Sequence, residues 1–261
     1  MDVVLLDSFP IYVVYVCITL FILFSFEVGY QIGKHAHIRV DKDAPIALGP
    51  LVGATLGMLA FVLAFTFSMT ASQHNVRKQY VVDEANVIGT AYLRADLIDE
   101  QHGTEVKRLL RDYVDARVGA NKGNIDTVEA ESIELHELLW AQVSSAAVTA
   151  PNTNTSLSIQ SINDVIDMHE KRVTAALINR IPDTIRLASI VIAALTMITL
   201  GTQAGLSVSR KLVAVIPLAL AFAALATVIV DLDRPHRGII KVEQRAMINL
   251  QTKIHLEQMD R

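Results

Sequence analysis

The segment ALGPLVGATLGMLAFVLAFTFSMT, residues 47–70, contains no charged residue and is long enough to cross a bilayer as one helix. Within it, glycines and then phenylalanines recur at every fourth position: Gly49, Gly53, Gly57, Phe61 and Phe65. Residues four apart lie on the same side of a helix, so the two sets share one face. We expect that face to meet another helix or to line a pore.

Three further apolar segments predict a multi-pass membrane protein. Of the 261 residues, 52% are apolar and 19% charged, and the apolar surplus is concentrated in residues 11–30, 47–70, 185–205 and 211–232. Each segment meets the requirement of about 20 residues for a transmembrane helix. The predicted fold is all-α. Its predicted domains are a first pair of spans (1–71), a soluble helical insert (72–183), a second pair of spans (184–232) and a C-terminal amphipathic helix (233–261).

The basic residues near the span ends predict the orientation. Nine lie on the side that holds both termini and the insert, against five on the other side. The positive-inside rule therefore places the termini and the insert in the cytoplasm. The segment before the first span contains Asp2 and Asp7 and no basic residue, unlike a secretory signal, so we expect this span to remain as an anchor.

The insert is predicted to form a helical bundle. Apolar residues at three- and four-residue steps continue from the second span to Ala95, which predicts one long helix leaving the membrane. We expect a break at 99–103 with Thr104 as the next N-cap, and a second helix ending near Gly119. A third helix ends before the turn-forming run 151–156, and a fourth covers 162–177. The amphipathic segment 240–258 has three possible packing partners: the insert, a neighbouring subunit and the membrane surface.

Composition and motifs exclude several functions. Residues 72–183 hold 11 Lys and Arg against 17 Asp and Glu, so nucleic acid is not an expected partner. The single cysteine, Cys17, lies in the first span and allows neither an intrachain disulfide nor a thiolate metal cluster. The sequence has no phosphate-binding glycine loop, no G-x-S-x-G and no H-E-x-x-H. We therefore expect no enzyme activity, no cofactor and no metal site.

The second span carries the main candidate residues. Gly49, Gly53 and Gly57 are predicted helix-packing positions, because small residues let helix backbones approach closely in lipid. Phe61 and Phe65 have two interpretations: packing between helices, or a hydrophobic constriction that gates by dewetting. Spacing does not separate these interpretations. Met69 extends the same four-residue row.

Two polar features lie at span ends. Glu27 is an acid inside an apolar span, and it is interpreted either as pairing with a base such as Lys34 or Arg39 or as a transport residue. An acidic and basic motif follows the fourth span: Asp231, Asp233, Arg234 and Pro235. Intramolecular pairing of an aspartate with the arginine is favoured there over a cation site, since calcium needs six or more oxygen ligands.

Four segments carry a family resemblance: FVLAFTFSMTAS (61–72), VVDEANVIGTAYLRADL (81–97), LLRDYVDARV (109–118) and DLDRPHRG (231–238). They resemble the bacterial bestrophin-like family of four-span membrane proteins over most of the chain. The resemblance implies a multi-pass protein of a bacterial inner membrane with a cytoplasmic helical region. By analogy with the bestrophins it also implies a homo-oligomeric, pentameric channel for inorganic anions.

The resemblance also assigns roles to residues of the second span. Bestrophins place an aromatic constriction on their second membrane helix, which implies that Phe61 and Phe65 line a neck, with Gly57 and Met69 above and below them. Of the calcium clasp of animal bestrophins, only the aspartate pair after the fourth span is recognisable. The first functional hypothesis is an oligomeric anion channel in the lipid bilayer. The second is a membrane-anchored sensory or protein-interaction module without transport activity.

Overall fold

The computed structural model describes residues 9–39, 48–120, 125–175, 179–207, 209–210, 212–234 and 238–259, without the side chains of 37–39. These residues form α-helices and one short 3-10 helix, and no strand occurs among them. In chain order the helices are α1 Ile11–Arg39, α2 Gly49–Arg94, α3 Glu100–Gly119, α4 Ile125–Thr149, α5 Thr153–Val173, α6 Asp183–Leu206, α7 Leu212–Asp233 and α8 Arg245–Met259, with the 3-10 helix at Ala95–Leu97.

Four of these helices, α1, α2, α6 and α7, are long and apolar enough to cross a membrane. They coincide with the four apolar segments of the sequence and confirm an all-helical fold with four candidate spans. The helix α2 continues without interruption for 46 residues, as the periodicity through Ala95 predicts. Its glycines do not interrupt the helix. Its proline, Pro50, stands in the first turn, where a missing N–H is tolerated.

The chain divides into two compact units. The span unit comprises Met1–Gln73 and Arg180–Ile240, and the bundle unit comprises His74–Asn179 and Lys241–Arg261. Each has its own buried apolar core. That of the span unit includes Phe26, Leu59 and Met197, and that of the bundle unit includes Leu110, Tyr113 and Leu139.

Helices α1 and α6 approach each other closely through two pairs of glycines. A Cβ added at Gly29 would lie 2.1 Å from the carbonyl oxygen of Ile198, and one added at Gly201 would lie 2.1 Å from that of Phe26. Gly33 and Gly205 show the same crowding one turn further along. Both helices therefore carry a G-x-x-x-G motif that permits contact between backbones.

The start of α3 differs from its prediction. Asp99, not Thr104, is the N-cap, because its carboxylate accepts a hydrogen bond from the backbone N–H of His102. Gly103 lies inside the helix, where an added Cβ would be 2.3 Å from the carbonyl oxygen of Ala95. That glycine therefore marks a close contact with the preceding helix end and does not mark a break.

Helix α8 packs within the bundle unit. Its Met247 and Ile254 are fully buried in the core of that unit. On its outer side, Gln251 donates to the carboxylate of Asp115 at 2.8 Å, and His255 lies 3.0 Å from the same oxygen. The sequence allowed three packing partners for this segment, and in the structure α8 packs on the insert.

Candidate functional site: the outer face of α2 and a buried charged cluster

The membrane part of α2 has one buried side and one open side. Leu59 and Leu63 are buried in the core of the span unit. On the opposite side Phe61 is 72% exposed and Phe65 58% exposed. A Cβ added at Gly57 would meet no atom within 4 Å. The described residues thus leave uncovered the face on which the predicted packing and neck positions lie.

The ends of the four-residue row turn away from this outer face. Four residues advance a helix by slightly more than one turn, so the row drifts by roughly 40° at each step. Met69 is consequently half-buried and packs against the core of the span unit. Gly49 lies at the other end, where an added Cβ would be at ordinary contact distance, 3.7 Å, from the side chain of Gln203. Gly53 resembles Gly57 in having no neighbour within 4 Å.

The packing and pore roles of this row require a second copy of the chain, so they stay predictions. Within the chain, the close helix contact uses the glycines of α1 and α6 instead. The sequence signal for that contact is present, because both helices contain two glycines four residues apart. The prediction chose the longer glycine row of α2 (Gly49, Gly53 and Gly57) instead.

The two aspartates in the last turn of α7, Asp231 and Asp233, are buried and accept hydrogen bonds from backbone groups. The carboxylate of Asp231 accepts from the N–H groups of Ile239 and Ile240, each at 2.9 Å. That of Asp233 accepts from the N–H of Ile181 at 2.9 Å and lies 3.7 Å from a guanidinium nitrogen of Arg186. The Asp233 contacts connect the end of α7 to the start of α6, and the Asp231 contacts hold the chain that follows α7.

The arginine of the same motif is also buried. Arg234 is 3% exposed and donates to the carbonyl oxygen of Phe9 at 3.0 Å, which connects the end of α7 to the residues before α1. One aspartate–arginine pairing in the structure joins Asp233 to Arg186, a residue that the motif does not contain. Pro235 lies outside the described residues.

Glu27 forms a polar contact different from the predicted one. Its carboxylate accepts from the side-chain amide of Gln31 at 2.6 Å and lies 3.3 Å from the guanidinium of Arg210. The sequence suggested Lys34 or Arg39 because they are near in the chain. Arg210 is remote in sequence and is brought close by the packing of the spans.

A cluster of charged and aromatic side chains is buried in the bundle unit. Its centre is Glu84 of α2, which is fully buried. The hydroxyl of Tyr113 donates to its carboxylate at 2.8 Å, Arg172 donates to its other oxygen, and Nε of Arg117 lies 3.3 Å away. We define the Glu84 cluster as these groups with the two histidines and the acid beside them: Glu84, Tyr113, Arg117, Glu129, His136, His169 and Arg172.

The histidines occupy the far side of the cluster. His169 is fully buried, with Nδ1 3.0 Å from the Tyr113 hydroxyl and Nε2 2.9 Å from the carboxylate of Glu129. The ring of His136 stacks edge-on to that of His169 with centroids 4.8 Å apart. Among the described residues, Nε2 of His136 has no hydrogen-bond partner. This geometry is that of a hydrogen-bonded core histidine.

Burial sets the protonation states in the cluster. Desolvation, reinforced by His169 and Arg117, lowers the pKa of His136 to about 4. Desolvation also lowers the pKa of His169, against the opposing effect of Glu129. It raises the pKa of Tyr113 and lowers that of Arg172 to about 10. Both histidines are therefore neutral at pH 7.

In the hydrogen-bond chain of the cluster, the proton of the Tyr113 hydroxyl can be donated to either of two acceptors. A carboxylate only accepts, so the neutral ring of His169 donates through Nε2 to Glu129 and leaves Nδ1 as an acceptor. The Tyr113 hydroxyl has one proton and two acceptors, Nδ1 of His169 and the carboxylate of Glu84. Arg172 also donates to the side chain of Gln244, which ties the cluster to the segment before α8.

Sequence reasoning did not predict this cluster. Its members are separated by up to 88 positions, and the acids around 129–137 resemble a solvated helix face. The signal that was available is the motif VVDEAN, where Glu84 stands at a position that the helix periodicity assigns to the buried side of α2.

The arrangement of four apolar helices with a separate helical bundle defines a multi-pass helical membrane protein. The chain belongs to the bestrophin-like family, since the model of the Bestrophin-like domain matches residues 19–247. A crystal structure of a membrane protein is similar in fold, with 12% sequence identity, a TM-score of 0.66, and coverage of 96% of this chain and 99% of that one. No curated protein matches the sequence.

Proposed function

We propose that this protein is an oligomeric ion channel in which the α2 helices of several copies surround an axis. The outer face of α2 then lines the pore, and Phe61 and Phe65 form a hydrophobic neck. The observation that carries this proposal is the 72% exposure of Phe61 beside open glycines, on a helix whose other side is buried. Membership in the bestrophin-like family supports it.

The proposed permeant species are inorganic anions. The segment 53–72 contains no charged residue, so a pore built from it has no fixed charge at its neck. Selectivity would then follow the cost of removing water from the ion, which is lower for large, weakly hydrated anions. No catalytic residue and no cofactor take part in this function.

Conductance in planar bilayers tests the neck. We expect the purified protein to pass current and the double variant Phe61→Ala/Phe65→Ala to pass more, because a wider neck wets more readily. The matched control is Phe67→Ala, also on α2 and 38% exposed, but facing a different direction. A silent protein, or an equal effect of the control, contradicts the proposal.

Cross-linking tests the assembly. In a Cys17→Ser background, Gly57→Cys should form disulfide-linked pairs between copies, while Phe67→Cys should not. Native mass spectrometry of the same samples gives the number of subunits. A protein that remains monomeric in detergent and in membranes excludes a pore on this axis.

We propose that the protein lies in the bacterial inner membrane with both termini and the bundle unit in the cytoplasm. The excess of basic residues on that side supports this orientation. Protease treatment of intact spheroplasts should spare the bundle unit, and treatment of inverted vesicles should cut it. The reverse pattern would overturn the orientation.

A second candidate is the partner-binding module, favoured by exposed apolar side chains on α4. Ile133 is 48% exposed and Trp140 43% exposed, two turns apart on one side of the helix. If this surface binds a protein, Ile133→Ser/Trp140→Ser removes a co-purifying partner, whereas Leu157→Ser on α5 retains it. A partner lost in this way without any conductance favours the module over the channel.

A further inference from the structure

His169 has a hydrogen-bond acceptor beside each of its two ring nitrogens. Nε2 lies 2.9 Å from the carboxylate of Glu129, and Nδ1 lies 3.0 Å from the hydroxyl oxygen of Tyr113. A carboxylate accepts hydrogen bonds, and a hydroxyl oxygen accepts one as well as donating one. Because an imidazolium ring donates through both nitrogens, a protonated His169 has a partner for each of its N–H groups.

The Tyr113 hydroxyl permits this second state because its proton has another acceptor. While His169 is neutral, the proton of Tyr113 is shared between Nδ1 and the carboxylate of Glu84, which lies 2.8 Å from the hydroxyl oxygen. When Nδ1 carries a proton, it donates to the hydroxyl oxygen, and the proton of Tyr113 is left with Glu84 alone. The chain gains a hydrogen bond in this exchange and loses none.

The charges around the contact between His169 and Tyr113 decide when the proton binds. Desolvation lowers the pKa of His169, Arg117 lowers it further, and Glu129 and Glu170 oppose the shift. The ring is therefore neutral at pH 7 and binds a proton at a pH below the ordinary histidine value of 6.5. The titratable and charged groups that surround the contact are Glu84 on α2, Arg117 on α3, Glu129 and His136 on α4, and Glu170 and Arg172 on α5.

His136 restricts the site to one proton. Its ring stands edge-on to that of His169 with centroids 4.8 Å apart, and the side chain is buried. Within the described part of the chain, its Nε2 has no hydrogen-bond partner. A charge on His136 would face the imidazolium of His169 without an acceptor at Nε2, so the folded unit does not hold a proton on both rings.

Glu129 connects the hydrogen-bond chain to solvent. Its side chain is 29% exposed, whereas His169 and Glu84 are fully buried. The chain thus runs from an accessible carboxylate on α4 to an inaccessible one on α2.

We propose that His169 is a proton-binding switch of the bundle unit, in which uptake of one proton from solvent commits the Tyr113 proton to Glu84. The incoming proton adds to the lone pair of Nδ1, and the acid that supplies it keeps the electron pair. The output is at Oε1 of Glu84, which accepts from Tyr113 and lies 3.3 Å from Nε of Arg117. A committed hydroxyl displaces Arg117 from that oxygen. The switch is independent of the channel proposal, because it uses residues of the bundle unit in a single copy.

Nuclear magnetic resonance of the full-length protein in lipid bilayers tests the switch. With isotopically labelled histidine, the nitrogen signals of His169 are those missing in His169→Gln. We expect a neutral ring protonated at Nε2 at pH 7 and a ring protonated at both nitrogens at lower pH, while Trp140 emission remains that of the folded unit. With labelled tyrosine, the ring carbon that carries the hydroxyl of Tyr113 should shift with the same midpoint.

Two variants each weaken one partner of the charged ring. Tyr113→Phe removes the acceptor at Nδ1, and Glu129→Gln removes the negative charge at Nε2. Each should lower the proton affinity of His169 about tenfold, the effect of one hydrogen bond to a charged group. The matched controls should leave this affinity unchanged. They are Tyr92→Phe, in the same buried core, and Glu131→Gln, an exposed acid of the same helix as Glu129.

Any of three results would overturn the proposal. If both nitrogens of His169 become protonated only where Trp140 emission reports unfolding, the proton binds the unfolded chain alone. A ring protonated at Nδ1 at pH 7 leaves no vacant position beside Tyr113. An effect of Glu129→Gln no larger than that of Glu131→Gln shows that the chain does not set the affinity, and this comparison is decisive even if Tyr113→Phe fails to fold.

Discussion

Removing the charge of Glu84 should destabilise the bundle unit far more than removing an exposed carboxylate. In Glu84→Gln, the guanidinium groups of Arg117 and Arg172 lose their buried counter-charge. Breaking one partner of a buried ion pair costs about 3–5 kcal/mol. The amide keeps the acceptor for Tyr113, so we expect the lower end, about 3 kcal/mol. In a unit of this size, each kcal/mol of lost stability lowers the thermal unfolding midpoint by roughly 4 °C, so this midpoint should fall by roughly 12 °C.

Fluorescence of Trp140 measures this change selectively. It is the only tryptophan, and it lies on α4 in the bundle unit, so its emission follows that unit alone. The matched control is Glu105→Gln, which removes an exposed partner of Arg108. Surface pairs contribute about 0–1 kcal/mol, so the control should shift the midpoint by less than about 4 °C.

A double variant separates the ion pair from general damage. Glu84→Gln/Arg172→Met removes the orphaned charge nearest to the amide, and it should recover about 1–3 kcal/mol relative to Glu84→Gln. If Glu84→Gln and Glu105→Gln lower the Trp140 midpoint equally, the buried cluster does not carry the stability that its geometry indicates. Additive losses in the double variant would refute the pairing itself.

Three other perturbations have defined outcomes. Burial lowers the pKa of His136 from 6.5 to about 4, so the unfolded chain binds more protons than the folded chain between these pH values. The free energy of unfolding of the bundle unit should therefore fall by up to about 3 kcal/mol as the pH falls through this window. Urea titrations followed by Trp140 emission measure this loss, which should be smaller in His136→Phe. Gly201→Ala places a Cβ 2.1 Å from a carbonyl oxygen and should destabilise the span unit by at least about 2 kcal/mol, seen as aggregation at lower temperature in detergent; Gly53→Ala should have no such effect on the monomer. Asp99→Ala removes the N-cap of α3 and should cost about 1 kcal/mol, and an unchanged Trp140 midpoint would show that the cap is dispensable.

The spans and the long α2 were predictable because they rest on local patterns. Apolar runs of sufficient length and steps of three and four residues identify α1, α2, α6 and α7 without knowledge of their neighbours. Residues that depend on tertiary contacts were missed. Gly103 resembles a helix break in sequence, and only the approach of the Ala95 carbonyl explains its presence within α3.

The candidate site shows the same division. Helix periodicity predicts that Phe61 and Phe65 share one face of α2. It does not reveal that the other helices leave this face uncovered. The partner of Glu27 and the members of the Glu84 cluster join segments far apart in the chain, so no window of sequence contains them together. The sequence shows that each of these side chains is charged or polar, but only the packing of the helices brings them together.

The placement of α8 has a consequence for how the chain is made. The core of the bundle unit includes Met247 and Ile254, yet α6 and α7 are synthesised between the insert and these residues. A ribosome therefore releases the last two spans before the bundle can close. A chain that stops after α7 has the four candidate spans and an unfinished core, so the resistance of the bundle unit to proteolysis reports whether α8 has been synthesised.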